Sequence, residues 1–311
     1  MRTASPFRTG RRPSRTAEYM ALFRAVESAE PPRRRLFEDP YATALLSGPL
    51  KAFAGFARLP VIGRLTPWFL DLGWPHTRSS GVVRTRLIDD LVRQAIHGGA
   101  RQLVLLGAGF DSRPYRLEEA NKVAVFEVDH PATQRAKRAR LTARLGRLPE
   151  TVRFVPVDFE KDDLHNALIA AGFDKNAPAL VVWEGVVSYL TAPAVRENFC
   201  MLAGILAPGS RVIFSYVHSG ALDGSVAFPE ARRWKSWVRA GGEPFIFGFD
   251  PAGLAAYLQP LGFELVSDVS TTDAAKSYCE PLARAETGSA LYRIAVARRS
   301  PIPTRTRDSA S

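Results

Sequence analysis

The stretch 103-LVLLGAGFDSRPYRL-117 runs four apolar residues straight into Gly107-Ala108-Gly109, then adds an acid, two arginines and a proline. A short apolar run closed by glycines reads as a strand buried on both faces that ends in a tight turn. In open α/β sheets the carboxyl edge of such a strand is where ligands sit, and glycine lets the backbone approach them. The dinucleotide pattern GxGxxG fails here, because its last position is Ser112. Asp111, Arg113 and Pro114 also crowd the place where a pyrophosphate would meet a helix N-terminus. A nicotinamide cofactor is therefore disfavoured, and the glycine pair alone is equally consistent with a turn that holds no ligand.

Working outward, short runs rich in Val, Leu, Ile and Phe recur at 102–106, 123–128, 152–157, 179–184, 211–217, 263–269 and 290–297. Helical stretches fall between them near 131–145, 160–171, 192–207 and 251–261. This βαβ alternation predicts a parallel sheet covered by helices. The last two strands are joined without a helical pattern, which predicts an antiparallel pair closing the sheet. The layout is that of a Rossmann-like α/β class I methyltransferase: seven strands, mostly parallel, with an antiparallel final strand. Fold alone does not fix function. Before the sheet the pattern is helical and broken by proline, at 17–30, 41–48 and 82–99. The expected organisation is a basic tail at 1–16, a helical N-terminal cap or lid at 17–100, a core at 101–299 with an insertion at 218–250, and a second tail at 300–311.

Three successive strands end in acids at one edge. The second ends 125-VFEVDHP-131, which puts Asp129 near the spacing at which an acid meets a ribose hydroxyl. Glu127 shares its face of the strand, but Asp129 lies closer to the exposed edge. A carboxylate accepts both hydroxyls of an unphosphorylated ribose and repels a 2′-phosphate. The third strand ends at Asp158-Phe159, an acceptor for an adenine amine beside an apolar face for the ring. Asp158 is alternatively the N-cap of the next helix, and Asp129 a solvated strand-end acid. The fourth strand ends at Glu184-Gly185. Together these acids describe a pocket for a nucleoside-bearing, positively charged ligand, which S-adenosylmethionine fits better than NAD.

Composition narrows the partners. The net charge of +11 invites a nucleic-acid reading, but residues 1–16 and 298–311, with nine arginines against Asp308, carry a net eight of those charges, leaving a nearly balanced middle. No nucleic-acid partner is expected. Two cysteines, Cys200 and Cys279, are too few for a disulfide framework or a structural zinc site, so the expectation is a reducing, cytoplasmic setting without a metal. The most apolar long region, 45–75, is interrupted by four charges and four prolines and is not expected to span a membrane.

With 84-RTRLIDD-90, 105-LLGAGFDSRPYRL-117, 127-EVDHP-131, 158-DF-159 and 183-WEGVVSYL-190 in this order, the chain resembles the leucine carboxyl methyltransferase-like group of S-adenosylmethionine-dependent methyltransferases. It is especially similar to actinobacterial members, some of them described as polyketide O-methyltransferases. The likeness runs from about Asp39 to about residue 297. It implies that Arg84 reaches the cofactor's carboxylate, that Gly107 lines the methionine portion and Asp129 the ribose. It further implies Asp158 and Phe159 at the adenine and Glu184 at the amino-acid end. The helical N-terminal region would match a lid over the substrate. Arginine's rigid fork suits a carboxylate, although a surface salt bridge from Arg84 to Asp89 or Asp90 is an alternative.

A carboxylate acceptor needs no general base, only a group to orient it; Tyr189, Arg113 and Tyr115 are the candidates. A hydroxyl acceptor must lose a proton, and His218, at the end of the fifth strand, is the candidate base. The aromatic residues of the insertion, including Trp234, Trp237, Phe245, Phe247 and Phe249, would cover an acceptor or pack outside the sheet. The expected function is O-methylation of a small molecule such as a polyketide-like metabolite. Protein C-terminal carboxyl methylation and a catalytically inactive methyltransferase-like protein are alternatives.

Overall fold

The computed structural model describes residues 14–59, 66–67, 69–71, 76–158, 162–228 and 245–301; Phe159, Trp234 and Trp237 lie outside them. The strands are β1 (Gln102–Leu106), β2 (Ala124–Asp129), β3 (Val152–Pro156), β4 (Ala179–Trp183), β5 (Arg211–Val217), β6 (Phe263–Ser270) and β7 (Tyr292–Arg299). They form one seven-stranded sheet in the order β3-β2-β1-β4-β5-β7-β6. The first five run parallel, and β7 inserts antiparallel between β5 and β6.

Alternation along each strand sends side chains to two covered faces. Leu103, Leu105, Leu180, Val182 and Ile213 pack with Val82, Val83, Ile88 and Val92 of the helix Thr77–His97. Val104, Leu106, Phe126, Val181 and Phe214 pack on the other side with Val195, Phe199 and Leu202 of the helix Ala192–Ile205. That is why β1 and β4 read as unbroken apolar runs. The helix Thr77–His97 is thus a covering layer of the sheet as well as part of the expected N-terminal cap. It begins five residues before the expected start because its first turns are small and polar yet buried: Ser80 Oγ accepts from Thr271 Oγ1 at 3.0 Å.

Between β6 and β7, where a loop was expected, stands the helix Thr271–Cys279. Ser270 caps it, its Oγ accepting the Asp273 N–H at 3.1 Å. Its buried stripe of Ala274, Ala275 and Cys279 is too short and small to register as an apolar period. The chain beyond it is fastened to the N-terminal helices by buried charge. Arg284 donates to both oxygens of Glu27, at 2.6 and 2.9 Å, and to Glu286 at 2.7 Å. Arg78 joins Glu286 to Asp71.

Arg284→Ala is expected to cost about 3–5 kcal/mol in urea denaturation, because it strands the fully buried Glu27. Burial pushes the Glu286 carboxyl up, but Arg284 and Arg78 outweigh it and bring it from 4.5 down to about 2. A carboxyl lowered on folding stabilises fully above its unfolded value and loses that contribution as pH falls through its folded value. The Glu286 contribution should therefore vanish between about pH 4.5 and 2, and Glu286→Gln should flatten that part of the stability–pH curve.

Candidate functional site

The carboxyl ends of β1, β2, β4 and β5 open into one cavity of about 1260 Å³, roofed by the helix Arg15–Glu27 and the first turns of Thr77–His97. Ligand pockets commonly measure roughly 300–1000 Å³, so this cavity has room for more than one small molecule. Arg84, Gly107, Asp129, Asp158, Glu184 and Tyr189 all line it.

Gly107 ends β1 with φ +67°, and a Cβ there would come within 2.4 Å of a Val186 methyl. Both the left-handed backbone and the missing side chain are therefore required. The turn it makes carries the Gly109 N–H to Asp129, whose Oδ2 accepts it at 2.5 Å while Oδ1 accepts the His130 N–H at 2.6 Å. These bonds draw the acid back toward the strand, yet each carboxylate oxygen keeps a second lone pair for a hydroxyl donor. Burial raises the Asp129 carboxyl above its ordinary value, although the two N–H donors oppose the rise.

Glu184 faces two arginines: Arg84 Nε donates to its Oε1 and Arg113 Nη1 to its Oε2, each at 2.7 Å. Burial would raise Glu184, but Arg113 and Arg84 bring it below its ordinary value. Arg113 also holds Asp89 at 2.8 Å and Asp111 at 2.6 Å. Burial works against Asp111 too, yet Arg113 and Lys137 lower it to about 2. Arg116 adds two bonds to Asp89, both at 2.6 Å, and donates to Ser112; Ser112 in turn donates to Asp39, which pairs with Arg24 of the roof at 2.8 Å.

Several expected placements differ. Arg84 pairs with Glu184 across 100 positions instead of Asp89 or Asp90, and its neighbour Arg86 takes Asp90. Asp158 is not the cap of the following helix; that role falls to Asp163, which accepts the Asn166 N–H. Tyr115 does not reach the cavity, since its hydroxyl donates to the fully buried Glu127 at 2.9 Å. Arg113 does line it, but three carboxylates occupy its guanidinium. His218 is not among the lining residues: its Nδ1 accepts the Gly220 N–H and its ring packs edge-on to Phe228. Tyr189 lies against Phe245, the described end of the insertion, at 4.7 Å between ring centroids.

Sequence reasoning missed Asp89, whose burial is complete, and Lys137, an ion-pair partner of Glu127 at 2.8 Å. The available signal for Lys137 is spacing: Gln134, Lys137 and Leu141 form one helical stripe, all buried. A lysine within such a stripe needs a buried acid. The cavity wall also includes Tyr19, Phe23, Phe245, Tyr292 and Arg293. Arg293 pairs with Asp268 at 3.1 Å beside the Tyr216 hydroxyl. No helix among the described residues is long and apolar enough to cross a membrane.

A family model described as leucine carboxyl methyltransferase matches residues 17–203. A protein of Mycobacterium sp. strain KMS named "Putative S-adenosyl-L-methionine-dependent methyltransferase" is 35% identical over 278 residues, covering 82% of this chain and 85% of its own. A Frankia alni protein with the same description is 34% identical, covering 86% and 87%. Among solved structures, one from Thermobifida fusca described as "a putative methyltransferase" superposes with a TM-score of 0.61 at 18% identity, covering 94% of this chain and 97% of that one. A Streptomyces avermitilis protein of the DUF574 family gives 0.54 at 20% identity, covering 80% and 95%. These two likenesses concern the fold.

Gly107→Ala is expected to lower thermal stability by about 1–3 kcal/mol through backbone strain and the Val186 contact. Adding Val186→Ala should recover part of that loss, the steric part. No recovery in melting experiments would mean that the Val186 contact is not what excludes a side chain.

Proposed function

The chain belongs to the leucine carboxyl methyltransferase family of S-adenosylmethionine-dependent methyltransferases, and we propose that it methylates an oxygen, foremost a carboxylate, of a small apolar molecule. The observation that carries this reading is the size and mixed lining of the cavity. The strand-end acids and Gly107 line it together with the aromatic residues Tyr19, Phe23, Tyr189, Phe245 and Tyr292.

The strand-end acids, Arg84 and Gly107 fit the cofactor. Asp129 has acceptor capacity left for two ribose hydroxyls. No hydrogen bond among the described residues uses Arg84 Nη1, which leaves a charged donor for the amino-acid carboxylate. Glu184, held ionised by its arginines, presents negative charge to an ammonium. Gly107 turns the backbone at the cavity edge with φ +67° and packs bare against Val186. Asp158, at the end of β3, lines the same cavity and serves the adenine amine.

When bound, S-adenosylmethionine supplies a methyl group on a positively charged sulfur, ready for in-line displacement. The chain's contribution is then alignment and exclusion of water. Among the described lining residues the single histidine is His130, and its Nδ1 accepts the Ala132 N–H that it caps. A wall without a poised imidazole suits an acceptor that arrives ionised. Tyr189 and Arg293 orient it, Arg293 taking the part that Arg113 is too fully paired to play.

Two measurements test the reading. Calorimetry should detect binding of S-adenosylhomocysteine but not NAD, and Asp129→Ala in a folded protein should weaken it about tenfold or more, since hydrogen bonds to a charged group are lost. Unchanged affinity would remove the ribose assignment. In an acceptor screen with methyl-labelled cofactor, label released as methanol by mild alkali identifies an ester. Alkali-stable label would point to a hydroxyl, and transfer to a peptide C-terminus to the protein-directed alternative.

A further inference from the structure

The helix Pro131–Leu145 starts directly after Asp129, and two of its buried side chains reach back to the strand that carries that acid. Gln134 Nε2 donates to the carbonyls of Glu127 and Val155, at 2.7 and 2.9 Å, stitching the ends of β2 and β3 together. One turn on, Lys137 places its ammonium 2.8 Å from Glu127 Oε2 and 5.7 Å from the Tyr115 ring centre. Both members of the pair are sealed from solvent. Removing a lysine from water into such a place is costly, and a surface pair would have cost far less.

We propose that Lys137 is a positioning residue for the cofactor: from behind the cavity wall its buried ion pair with Glu127 fixes the end of β2, and it sets the positive field that Asp129 faces as it meets the ribose. The inference rests on the ribose assignment of Asp129. Lys137 makes no direct ion pair with Asp129, so it acts through space and through the strand. The groups around Asp129 are Glu127 on β2, His130 and Lys137 on the following helix, Asp111 and Arg113 on the turn after β1, Arg24 on the roof and Asp158 at the end of β3. Of these, Lys137 lowers both Asp129 and Asp111 and is the fully buried cation on the helix that follows β2. Burial pushes Asp129 upward, and Lys137 is among the few influences restraining it. Without that cation the carboxyl would take up a proton at a higher pH and lose an acceptor for the ribose.

The test is S-adenosylhomocysteine affinity measured by calorimetry across pH 4.5–8 on folded variants. Lys137→Met should move the acid-side loss of affinity upward by roughly one pH unit, the scale on which a nearby buried charge acts. Lys137→Arg should restore the wild-type limb. Glu127→Gln/Lys137→Met carries no stranded charge, so it keeps the test usable if the single variant folds poorly, and it should retain most of the displacement. An acid limb returned to the wild-type position in that double variant would overturn the proposal, leaving Lys137 as a mere neutraliser of Glu127. In an Asp129→Asn background, Lys137→Met should cause no further pH displacement, and a persistent one would also overturn it. Undiminished binding in Asp129→Ala would instead sink the ribose assignment itself, an outcome that the other arms do not produce.

Discussion

The guanidinium of Arg113 lies between Asp89, Asp111 and Glu184, each 2.6–2.8 Å away, and almost none of it meets solvent. A cation so enclosed is tolerable only if its acids stay in place. Those acids come from the helix Thr77–His97, the turn after β1 and the end of β4, so satisfying one side chain fixes three walls of the cavity. The chain of contacts continues through Arg116, Ser112 and Asp39 to Arg24, which also donates to the Phe110 carbonyl at 2.5 Å. The roof is thereby tied to the same turn as the floor. Breaking one link leaves its partners with unmet charge in a dry setting, where the loss is greatest.

This explains why the loop after β1 departs from the dinucleotide pattern. A third glycine would suit a phosphate approaching a helix N-terminus. Here the helical turn Arg113–Arg116 is a single turn, and its two arginines point inward to carboxylates. Ser112, at the position of the absent glycine, is buried and donates to Asp39. The loop is stiffened from within by ion pairs and offers the cavity shape more than exposed donors.

The sheet was legible in the sequence because strands covered on both faces need continuous apolar runs, and all seven were found within a few residues. The antiparallel ending was legible as well, but the helix Thr271–Cys279 was not, since alanine and cysteine on a nine-residue element give no strong period. The strand-end acids were legible as residues at an edge. What each acid does was not, because that depends on partners 70 to 100 positions away, as in Arg113–Glu184 and Arg84–Glu184. Local spacing carries no record of such pairs. It offered Asp89 and Asp90 as alternative partners of Arg84, whereas Asp89 is consumed by Arg113 and Arg116. Tyr115 is a nearer case: the buried Glu127 that takes its hydroxyl lies only 12 positions on, but on β2, while Tyr115 stands on the helical turn after β1.

Three acids that look alike in the sequence thus end in three electrostatic settings. Glu184 is locked by two arginines, which hold it below its ordinary value against its burial. Burial works against Asp111, yet Arg113 brings it down to about 2, and its oxygens accept that residue's N–H and guanidinium, so it shapes the turn. Asp129 alone of the three is shifted upward, held by two backbone N–H donors and by a cation it does not touch. Its acceptor capacity is therefore the most available to an incoming hydroxyl, and its charge state the most dependent on its surroundings. A site that fixes one carboxylate rigidly and leaves another responsive can hold a charged amino-acid end by a permanent field. On the proposed reading, the responsive one would meet a ribose by hydrogen bonds that form only when the ligand arrives.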